Sequence, residues 1–345
     1  MKAIRLRRPF GQERFEHVDI ADPGAPGAGE IRVRLHASSL NAHDLAVVLG
    51  QLPVEDNRIP LSDGAGVVEA VGAGVQEFAV GDHVVSTFFP RWLAGGPGPL
   101  AAGFATTPGD GIDGYACEVA VRPATAFTHA PRGWSHLEAA TLTTAGLTAW
   151  RALVVAGGLK TGDTVLTLGT GGVSVFALQL AKAAGATVIA TSSSDDKLAR
   201  AAALGADHGI NYRQHPEWSK EVLALTGGRG VDHVVEVGGP GTLPQSMRSA
   251  RVGGHIALIG ALTGFADMVP TAELMLRQQR VTGIGVGSRE HQLDLVRAVE
   301  TTGLRPVIDR SFALDDLADA FRLQQAGGHF GKIGIDYSMA SGKAA

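Results

Sequence analysis

Residues 164–182 read TVLTLGTGGVSVFALQLAK, and this stretch decides the fold. Its first five residues are apolar or β-branched and predict a buried strand. A glycine-rich turn follows, and the apolar residues after it recur on one face of a helix. Free backbone N–H groups at the start of such a helix bind a pyrophosphate, because glycines let the anion approach the backbone. We therefore expect dinucleotide contacts at Gly169, Thr170, Gly171, Gly172 and Val173, with an ordinary glycine turn as the alternative.

The sequence around this turn alternates between strand-like and helix-like segments. The predicted strands are 164–168, 187–191, 208–211, 231–237, 255–259 and 281–286. The predicted helices are 172–184, 195–204, 216–226, 241–250 and 271–278, after an apolar helical stretch at 137–156. Strands that alternate with helices of about ten residues indicate βαβ units, so we predict an α/β fold with a doubly wound parallel sheet.

The first third of the chain has a different pattern. Residues 30–37, EIRVRLHA, alternate between polar and apolar side chains, as a half-buried strand does. Residues 63–85 contain short β-branched runs separated by glycines, which predicts antiparallel strands joined by tight turns. Residues 93–114 are rich in glycine and proline and are predicted to form an exposed loop. The last 55 residues are predicted to rejoin this β-rich part.

The residue at the end of the second strand of such a sheet selects the cofactor. A carboxylate there binds the ribose hydroxyls of NAD, and it would repel a 2′-phosphate. Here the strand ends in serines, with a basic residue soon after them. We therefore expect NADP(H) rather than NAD(H), with contacts at Ser192, Ser193 and Lys197. Asp195 and Asp196 are the counter-argument, unless they occupy the first turn of the next helix, where the dipole favours negative charge.

Composition limits the class of protein. The 345 residues are 45% hydrophobic and carry a formal net charge of -4, so we expect a globular protein without a nucleic-acid partner. Cys117 is the single cysteine, which rules out an internal disulfide and a multi-cysteine zinc site. There is no apolar run of membrane-spanning length, and the start, MKAIRLRRPF, lacks the apolar core of a signal peptide. We expect a cytoplasmic protein without a membrane partner.

Seven segments together resemble the medium-chain dehydrogenase/reductase superfamily, and most closely its zinc-free, quinone-oxidoreductase-like branch of the alcohol dehydrogenases. They are residues 39–44 (SLNAHD), 61–72 (LSDGAGVVEAVG), 80–85 (VGDHVV), 139–150 (AATLTTAGLTAW), 165–182, 206–213 (ADHGINYR) and 329–333 (HFGKI). The resemblance implies a chaperonin-10-like β-rich catalytic domain, residues 1–135 and 288–345, and a Rossmann dinucleotide-binding domain, residues 136–287. It also implies a homodimer built on the last Rossmann strand.

The resemblance also bears on the metal. Zinc-dependent members have cysteine or histidine ligands where this chain has Asn41, Ser62 and Thr144. Amide and hydroxyl groups are poor zinc ligands, so we expect no zinc. Something else must then stabilise negative charge on the substrate oxygen, and we expect the amide of Asn41 to donate to it. By its position in the family, His43 would deliver the proton; a structural histidine paired with Asp44 or a carbonyl is the alternative.

The same resemblance suggests the rest of the site. Phe88, Phe89 and Trp92 would form an apolar substrate wall, unless they are core residues. Further cofactor contacts are expected from Asn41, Thr144, Thr148, Tyr212, Gly238, Ile259, Gly260, Val286, Phe330 and Lys332. We expect an NADPH-preferring, zinc-independent oxidoreductase that reduces an enone, a quinone or another hydrophobic carbonyl. A metal-free NAD(P)-dependent secondary alcohol dehydrogenase and a non-catalytic NADPH-binding protein remain the alternatives.

Overall fold

A computed structural model describes residues 1–101 and 103–342. The chain forms two compact units, one of Met1–Leu147 with Val286–Ala345 and one of Thr148–Gly285. The sequence predicted the borders between residues 135 and 136 and between residues 287 and 288. Residues 343–345, which the prediction assigned to the β-rich domain, lie outside the described residues. Residues 136–147 belong to the β-rich unit because the hydroxyls of Thr143 and Thr144 donate to Ser86 O and Asp63 Oδ1 within it.

The β-rich unit begins with seven strands and two helices. The strands are β1 (Lys2–Leu6), β2 (Phe15–Asp19), β3 (Glu30–Ser39), β4 (Ala65–Val71), β5 (His83–Ser86), β6 (Val119–Pro123) and β7 (Phe127–His129). The helices are α1 (Ala42–Val48) and α2 (His136–Ala140). The alternation predicted for residues 30–37 is present, since Ile31, Val33 and Leu35 are buried while Arg34 is exposed. These apolar side chains form the core of the unit.

The glycine-rich loop is only partly exposed, which corrects the prediction for residues 93–114. Residues 107–110 are buried, and Gly109 and Gly114 pack against the turn that contains Leu61. A Cβ on Gly114 would lie 2.3 Å from Leu61 O, so only glycine allows this approach. The second half of the loop therefore fixes the backbone immediately before Ser62 and Asp63.

The predicted apolar helix of residues 137–156 is interrupted. After α2 come a π-helical turn at Leu142–Gly146, the short α3 (Leu147–Trp150) and a second π-helical turn at Arg151–Val155. π-helical turns often occur at functional sites because they redirect side chains. Here the first of them contains Thr143 and Thr144.

The second unit is the predicted parallel sheet. Its strands are β8 (Thr164–Leu168), β9 (Thr187–Ser192), β10 (His208–Asn211), β11 (Val231–Glu236), β12 (Ala250–Leu258) and β13 (Arg280–Gly283). Its helices are α4 (Gly172–Ala183), α5 (Asp195–Ala203), α6 (Trp218–Leu225), α7 (Leu243–Ser249) and α8 (Thr271–Leu276). All neighbouring strands pair in parallel, in the order β10-β9-β8-β11-β12-β13, which is the order of a dinucleotide-binding fold. The α/β fold class is confirmed.

The last predicted strand of this sheet was placed too late, and β12 begins five residues before the predicted strand 255–259. Residues 281–286 were predicted as the last strand, but β13 ends at Gly283 and Val286 lies in the following loop. Val286 has φ +46°, a value that no strand residue adopts. The β-branched residues suggested a longer strand, and the glycines at 283, 285 and 287 end it.

After this loop the chain returns to the β-rich unit through α9 (Arg289–Thr302), β14 (Ile308–Ala313), α10 (Leu317–Gln325) and β15 (Lys332–Asp336). Strands β14 and β15 extend the large sheet, whose order is β14-β15-β3-β4-β5-β7, with β6 also paired to β3. Strand β15 runs antiparallel to β3, with Gly334 opposite Ser39. This pairing brings Lys332 close to the start of α1.

No helix in residues 1–101 and 103–342 is long and apolar enough to cross a membrane. The longest of these helices, α9, has 14 residues, whereas a bilayer requires about 20.

We expect the parallel-sheet unit to lose stability in acid through His255. Its side chain is 1% exposed, and neither ring nitrogen has a hydrogen-bond partner among the described residues. Burial, with smaller contributions from His233 and Arg280, lowers the pKa of His255 from 6.5 to about 4. The folded state therefore favours the neutral ring, so this stability is complete above pH 6.5 and is lost as the pH falls towards 4.

The loss attributable to His255 should be on the order of 3 kcal/mol. Hydrogen exchange measured peptide by peptide from pH 7 to pH 4 would report it in β11 and β12. His255→Leu should flatten the pH dependence in those peptides. An equally steep dependence in the variant would assign the acid sensitivity to other groups.

Candidate active site

The β8–α4 turn has the geometry of an anion site. Gly169 has φ +69°, which turns the chain sharply, and Gly171 is the N-cap of α4. A Cβ built on Gly171 meets no atom within 4 Å, so open space lies over the backbone at the helix start. The hydroxyl of Ser174 donates to Leu168 O at 2.7 Å and ties the helix to the strand. A 12-residue helix thus directs its free N–H groups and the positive end of its dipole into open space.

The other predicted contacts of this unit lie at the same edge of the sheet. Carboxyl ends of parallel strands meet at one edge, and the register pairs Leu168 with Thr191 and Ser192 with Asn211. This edge brings together Gly169, Thr170, Gly171, Gly172, Val173, Ser192, Ser193, Tyr212, Gly238, Ile259 and Gly260, with Lys197 in the first turn of α5. Thr148, outside the sheet, is 3% exposed.

The end of β9 carries serine hydroxyls, and the first carboxylate after it in the chain, that of Asp195, is hydrogen-bonded to the neighbouring segment. Asp195 accepts from Asn211 Nδ2 at 2.7 Å and from Gln214 Nε2 at 2.9 Å. Both donors belong to the β10–α6 segment, so this carboxylate is held against the neighbouring strand. Ser192 is buried, whereas Tyr212 is 41% exposed.

Glu236 is a residue of this edge that sequence reasoning missed. Its side chain is fully buried, and its Oε1 accepts from Gly238 N at 2.7 Å, Gly239 N at 3.0 Å and Thr242 Oγ1 at 2.6 Å. The carboxylate thus fixes the turn after β11 that contains Gly238. A signal was available, because Glu236 directly follows the apolar pair Val234 and Val235 at the carboxyl end of a predicted strand.

In the β-rich unit, the predicted residues Asn41, Thr144 and Lys332 meet around Asp63. This carboxylate is fully buried and lies at the turn before β4. Its Oδ2 accepts from Asn41 Nδ2 at 2.8 Å and Ser39 Oγ at 2.5 Å, and its Oδ1 accepts from Thr144 Oγ1 at 2.6 Å. Lys332 Nζ lies 3.6 Å from Oδ2.

The structure corrects the role predicted for Asn41. Its amide hydrogens are directed to Asp63 and Asp44, at 2.8 and 3.0 Å, and the side chain is 7% exposed. Its Oδ1 accepts from Lys332 Nζ at 2.5 Å. Both amide hydrogens are already donated, so Asn41 has none left for a substrate oxygen. Its role here is to hold Asp44, Asp63 and Lys332 together.

Lys332 also differs from its prediction as a cofactor contact. It is 2% exposed, and its ammonium group donates to Leu40 O at 2.6 Å and to Asn41 Oδ1. Burial lowers the pKa of Lys332 and raises that of Asp63, while each partner's charge opposes the other's shift. Lys332 and Asp63 therefore form a buried charge pair, and the charge of each residue compensates the cost of burying the other's charge.

His43 lies in an aromatic cluster, together with the predicted substrate residues Phe88, Phe89 and Trp92. Its ring contacts Phe88 edge-on at 5.2 Å and Phe104 at 4.6 Å between centroids. Phe88, Phe89 and Trp92 are only 1%, 1% and 5% exposed. These three side chains are core residues, which was the alternative to their predicted role as a substrate wall. Phe104 is partly exposed, and the sequence analysis missed it because it lies in the glycine-rich loop.

The remaining predicted contacts of the β-rich unit are buried too. Phe330 is 1% exposed and Val286 is 7% exposed. Asp44 anchors the start of α1, since its Oδ1 accepts from Ser62 N at 2.8 Å and its Oδ2 accepts from Asn41 N at 3.0 Å.

Two family models match the chain. The model described as "Alcohol dehydrogenase GroES-like domain" matches residues 27–132, and the model described as "Zinc-binding dehydrogenase" matches residues 172–301. The first lies within the β-rich unit, and the second covers most of the parallel sheet from the glycine turn onwards.

Known proteins resemble nearly the whole chain. A zinc-type alcohol dehydrogenase-like protein of Schizosaccharomyces pombe is 42% identical over 94% of this chain and 95% of its own. A crystal structure of an NAD-dependent alcohol dehydrogenase is 37% identical, with a TM-score of 0.88 over 98% of this chain and 100% of that chain. A quinone oxidoreductase of Pseudomonas syringae pv. Tomato DC3000 is 31% identical, with a TM-score of 0.80 over 97% and 99%.

Proposed function

Because the chain belongs to the medium-chain dehydrogenase/reductase superfamily and is an NAD(P)-dependent oxidoreductase, we propose that it reduces an enone, a quinone or another hydrophobic carbonyl with NADPH, without zinc. The observation that carries the proposal is the open space over Gly171 at the start of α4. A pyrophosphate needs that space, and the other predicted contacts of the sheet share its edge.

NADPH fits the parallel-sheet unit. Gly171, Gly172 and Val173 would hold the pyrophosphate with backbone N–H groups, and Gly238 and Gly260 border the same edge. When bound, the cofactor supplies a hydride. Glycine is required at position 260, since a Cβ on Gly260 would lie 2.2 Å from Val237 O. The backbone after β12 can therefore pack closely against the backbone after β11.

The preference for NADPH over NADH rests on the charge after β9. Ser192 and Ser193 place no carboxylate there, and the amides of Asn211 and Gln214 hold Asp195. Lys197, in the first turn of α5, adds positive charge near a 2′-phosphate. NADH remains the competing cofactor, because one similar structure is that of an NAD-dependent alcohol dehydrogenase. A titration with both cofactors distinguishes the two possibilities.

Zinc independence rests on the chemistry of the donor set. Asn41 and Thr144 stand at family ligand positions, but their side chains are engaged with Asp63 and Lys332. The ammonium of Lys332 would repel a second cation at this site. These residues therefore do not fit a zinc ion.

Reduction of a carbonyl or enone also requires a proton. His43 is a titratable group that the β-rich unit places against Phe88 and Phe104, and its own side chain is 13% exposed. It would hold a proton and donate it as negative charge develops on the acceptor. Phe104, which contacts the His43 ring and is partly exposed, suits a hydrophobic acceptor.

Fluorescence titration with NADPH and NADH, followed by a screen of enones, quinones and ketones, tests this function. We expect tighter binding of NADPH and its oxidation by at least one acceptor class. Product analysis distinguishes C=C from C=O reduction and so identifies a secondary alcohol dehydrogenase. NADPH binding without oxidation across the screen would instead support a non-catalytic binding protein.

We also propose that the protein is a homodimer joined along β13. This strand ends the parallel sheet, and the segment that joins β12 to β13 carries exposed apolar side chains: Leu262, Phe265, Met268, Val269, Met275 and Leu276. Phe265 is 81% exposed and Met268 is 88% exposed, which is unusual for a monomer unless the surface is covered.

Replacing Phe265 and Met268 together by lysine should weaken this dimer at least tenfold, because charge would be buried at a self-complementary surface. Sedimentation velocity over a concentration series would measure the change. A monomeric wild-type protein, or a variant that dimerises as strongly as wild type, would contradict the proposal that this surface forms the dimer interface.

A further inference from the structure

Asp110 lies beside His43 although nothing in the sequence links the two residues. His43 Nε2 is 3.3 Å from Asp110 Oδ2, and the two side chains are 13% and 8% exposed. Nε2 is buried and has no formed hydrogen bond among the described residues. The distance between the two atoms is within reach of a hydrogen bond, but their alignment is not that of a formed one. In free enzymes such contacts are often long and tighten only when the substrate is bound.

The loop that contains Asp110 also holds the imidazole from a second side. Phe104 contacts the His43 ring at 4.6 Å, and Phe88 contacts it edge-on. The loop is itself fixed, since Gly109 has φ +84° and lies against the backbone of Leu61. The ring of His43 is therefore confined by two aromatic rings and faces one carboxylate.

We propose that Asp110 is a positioning residue that orients His43 for proton delivery, which rests on the proposed function. In an enzyme that uses histidine as its acid, a buried carboxylate binds one ring nitrogen and leaves the other to face the reactant. Asp110 faces Nε2, so Nδ1 is the nitrogen that delivers the proton.

The hydride would come from the C–H bond of the reduced cofactor, which breaks and leaves the cofactor oxidised. It adds with its electron pair to the carbon of the acceptor, and the π electrons move onto oxygen. The Nδ1–H bond of the His43 imidazolium breaks, and its proton neutralises that charge. Asp110 stays ionised and accepts the hydrogen bond from Nε2–H, whose proton remains on the ring. A proton from bulk water then returns to Nδ1.

A double-mutant cycle tests whether Asp110 acts through His43. His43→Asn should lower kcat about 100-fold, the usual contribution of a general acid, and Asp110→Asn about tenfold, each with a nearly unchanged KM for NADPH. In the His43→Asn background, Asp110→Asn should have no further effect on kcat. The matched control is Asp113→Asn, which removes the same charge from the same loop but contacts Arg58. An unchanged kcat in Asp110→Asn, or additive effects in the cycle, would overturn the proposal.

A spectroscopic readout separates this inference from the proposed function. In protein labelled with 15N-histidine and free of cofactor, the Nε2 resonance of His43 should have the chemical shift of a protonated ring nitrogen, and it should be absent from His43→Asn. Asp110→Asn should shift that resonance and Asp113→Asn should not. A missing resonance, or one that Asp110→Asn leaves in place, would refute the positioning role even if NADPH is oxidised. A pair detected in a protein that oxidises no NADPH would instead contradict the proposed function alone.

Discussion

Replacing Lys332 by methionine is expected to lower the stability of the β-rich unit by about 3–5 kcal/mol, the usual effect of leaving a buried charge without its partner. Asp63 is fully buried, and the ammonium of Lys332, at 3.6 Å, is the cation that faces it. Methionine has a similar length but supplies neither charge nor hydrogen. Leu40 O and Asn41 Oδ1 would also lose their donor.

Hydrogen exchange resolved by peptide measures this effect unit by unit. Protection should fall in β3 and β15 and remain unchanged in β8 and β9. The control is the double variant Lys332→Met with Asp63→Asn, which removes both charges and should recover much of the loss. A single variant as stable as wild type would mean that the pair does not hold the site together.

Gly171→Asp is expected to weaken NADPH binding at least 100-fold while leaving the fold intact. Gly171 has φ −79° and open space at its Cβ position, so a side chain fits without strain. It is also the N-cap of α4, where aspartate stabilises a helix. The carboxylate would occupy the space proposed for the pyrophosphate and, at about 4 Å, would repel it by about 4 kcal/mol per unit charge.

The matched control is Gly171→Asn, which caps the helix equally well and has nearly the same size without the charge. We expect it to bind NADPH more weakly than wild type but more tightly than Gly171→Asp. Calorimetric titration gives the affinities, and thermal unfolding shows whether the fold is retained. Unchanged affinity in the aspartate variant would place the pyrophosphate away from this turn.

Local patterns explain why the parallel sheet was predictable from sequence. Residues 164–168 and 208–211 were predicted as strands with the bounds that β8 and β10 have. Each strand, turn and helix of a βαβ unit comes from neighbouring residues, so periodicity and glycine placement define it. The glycine turn and the serines after β9 belong to this local class.

The cluster around Asp63 could be predicted only in part, because distant parts of the chain build it. Lys332 hydrogen-bonds to a residue 291 positions away, through the pairing of β15 with β3. Resemblance identified Asn41, Thr144 and Lys332 as members of a site, but not what their polar atoms contact. Asp110 had no signal, since nothing in a glycine-rich loop indicates which residue folds back onto α1.

The transfer of deuterium from NADPH that carries deuterium at both hydrogen positions of the reactive ring carbon tests the central claim most directly. Mass spectrometry would measure the deuterium content of the product, and metal analysis would measure the zinc content of the same protein sample. The account predicts a single deuterium per product molecule, at a rate that does not depend on zinc. A product without the label, or a rate that rises in proportion to added zinc, would contradict it.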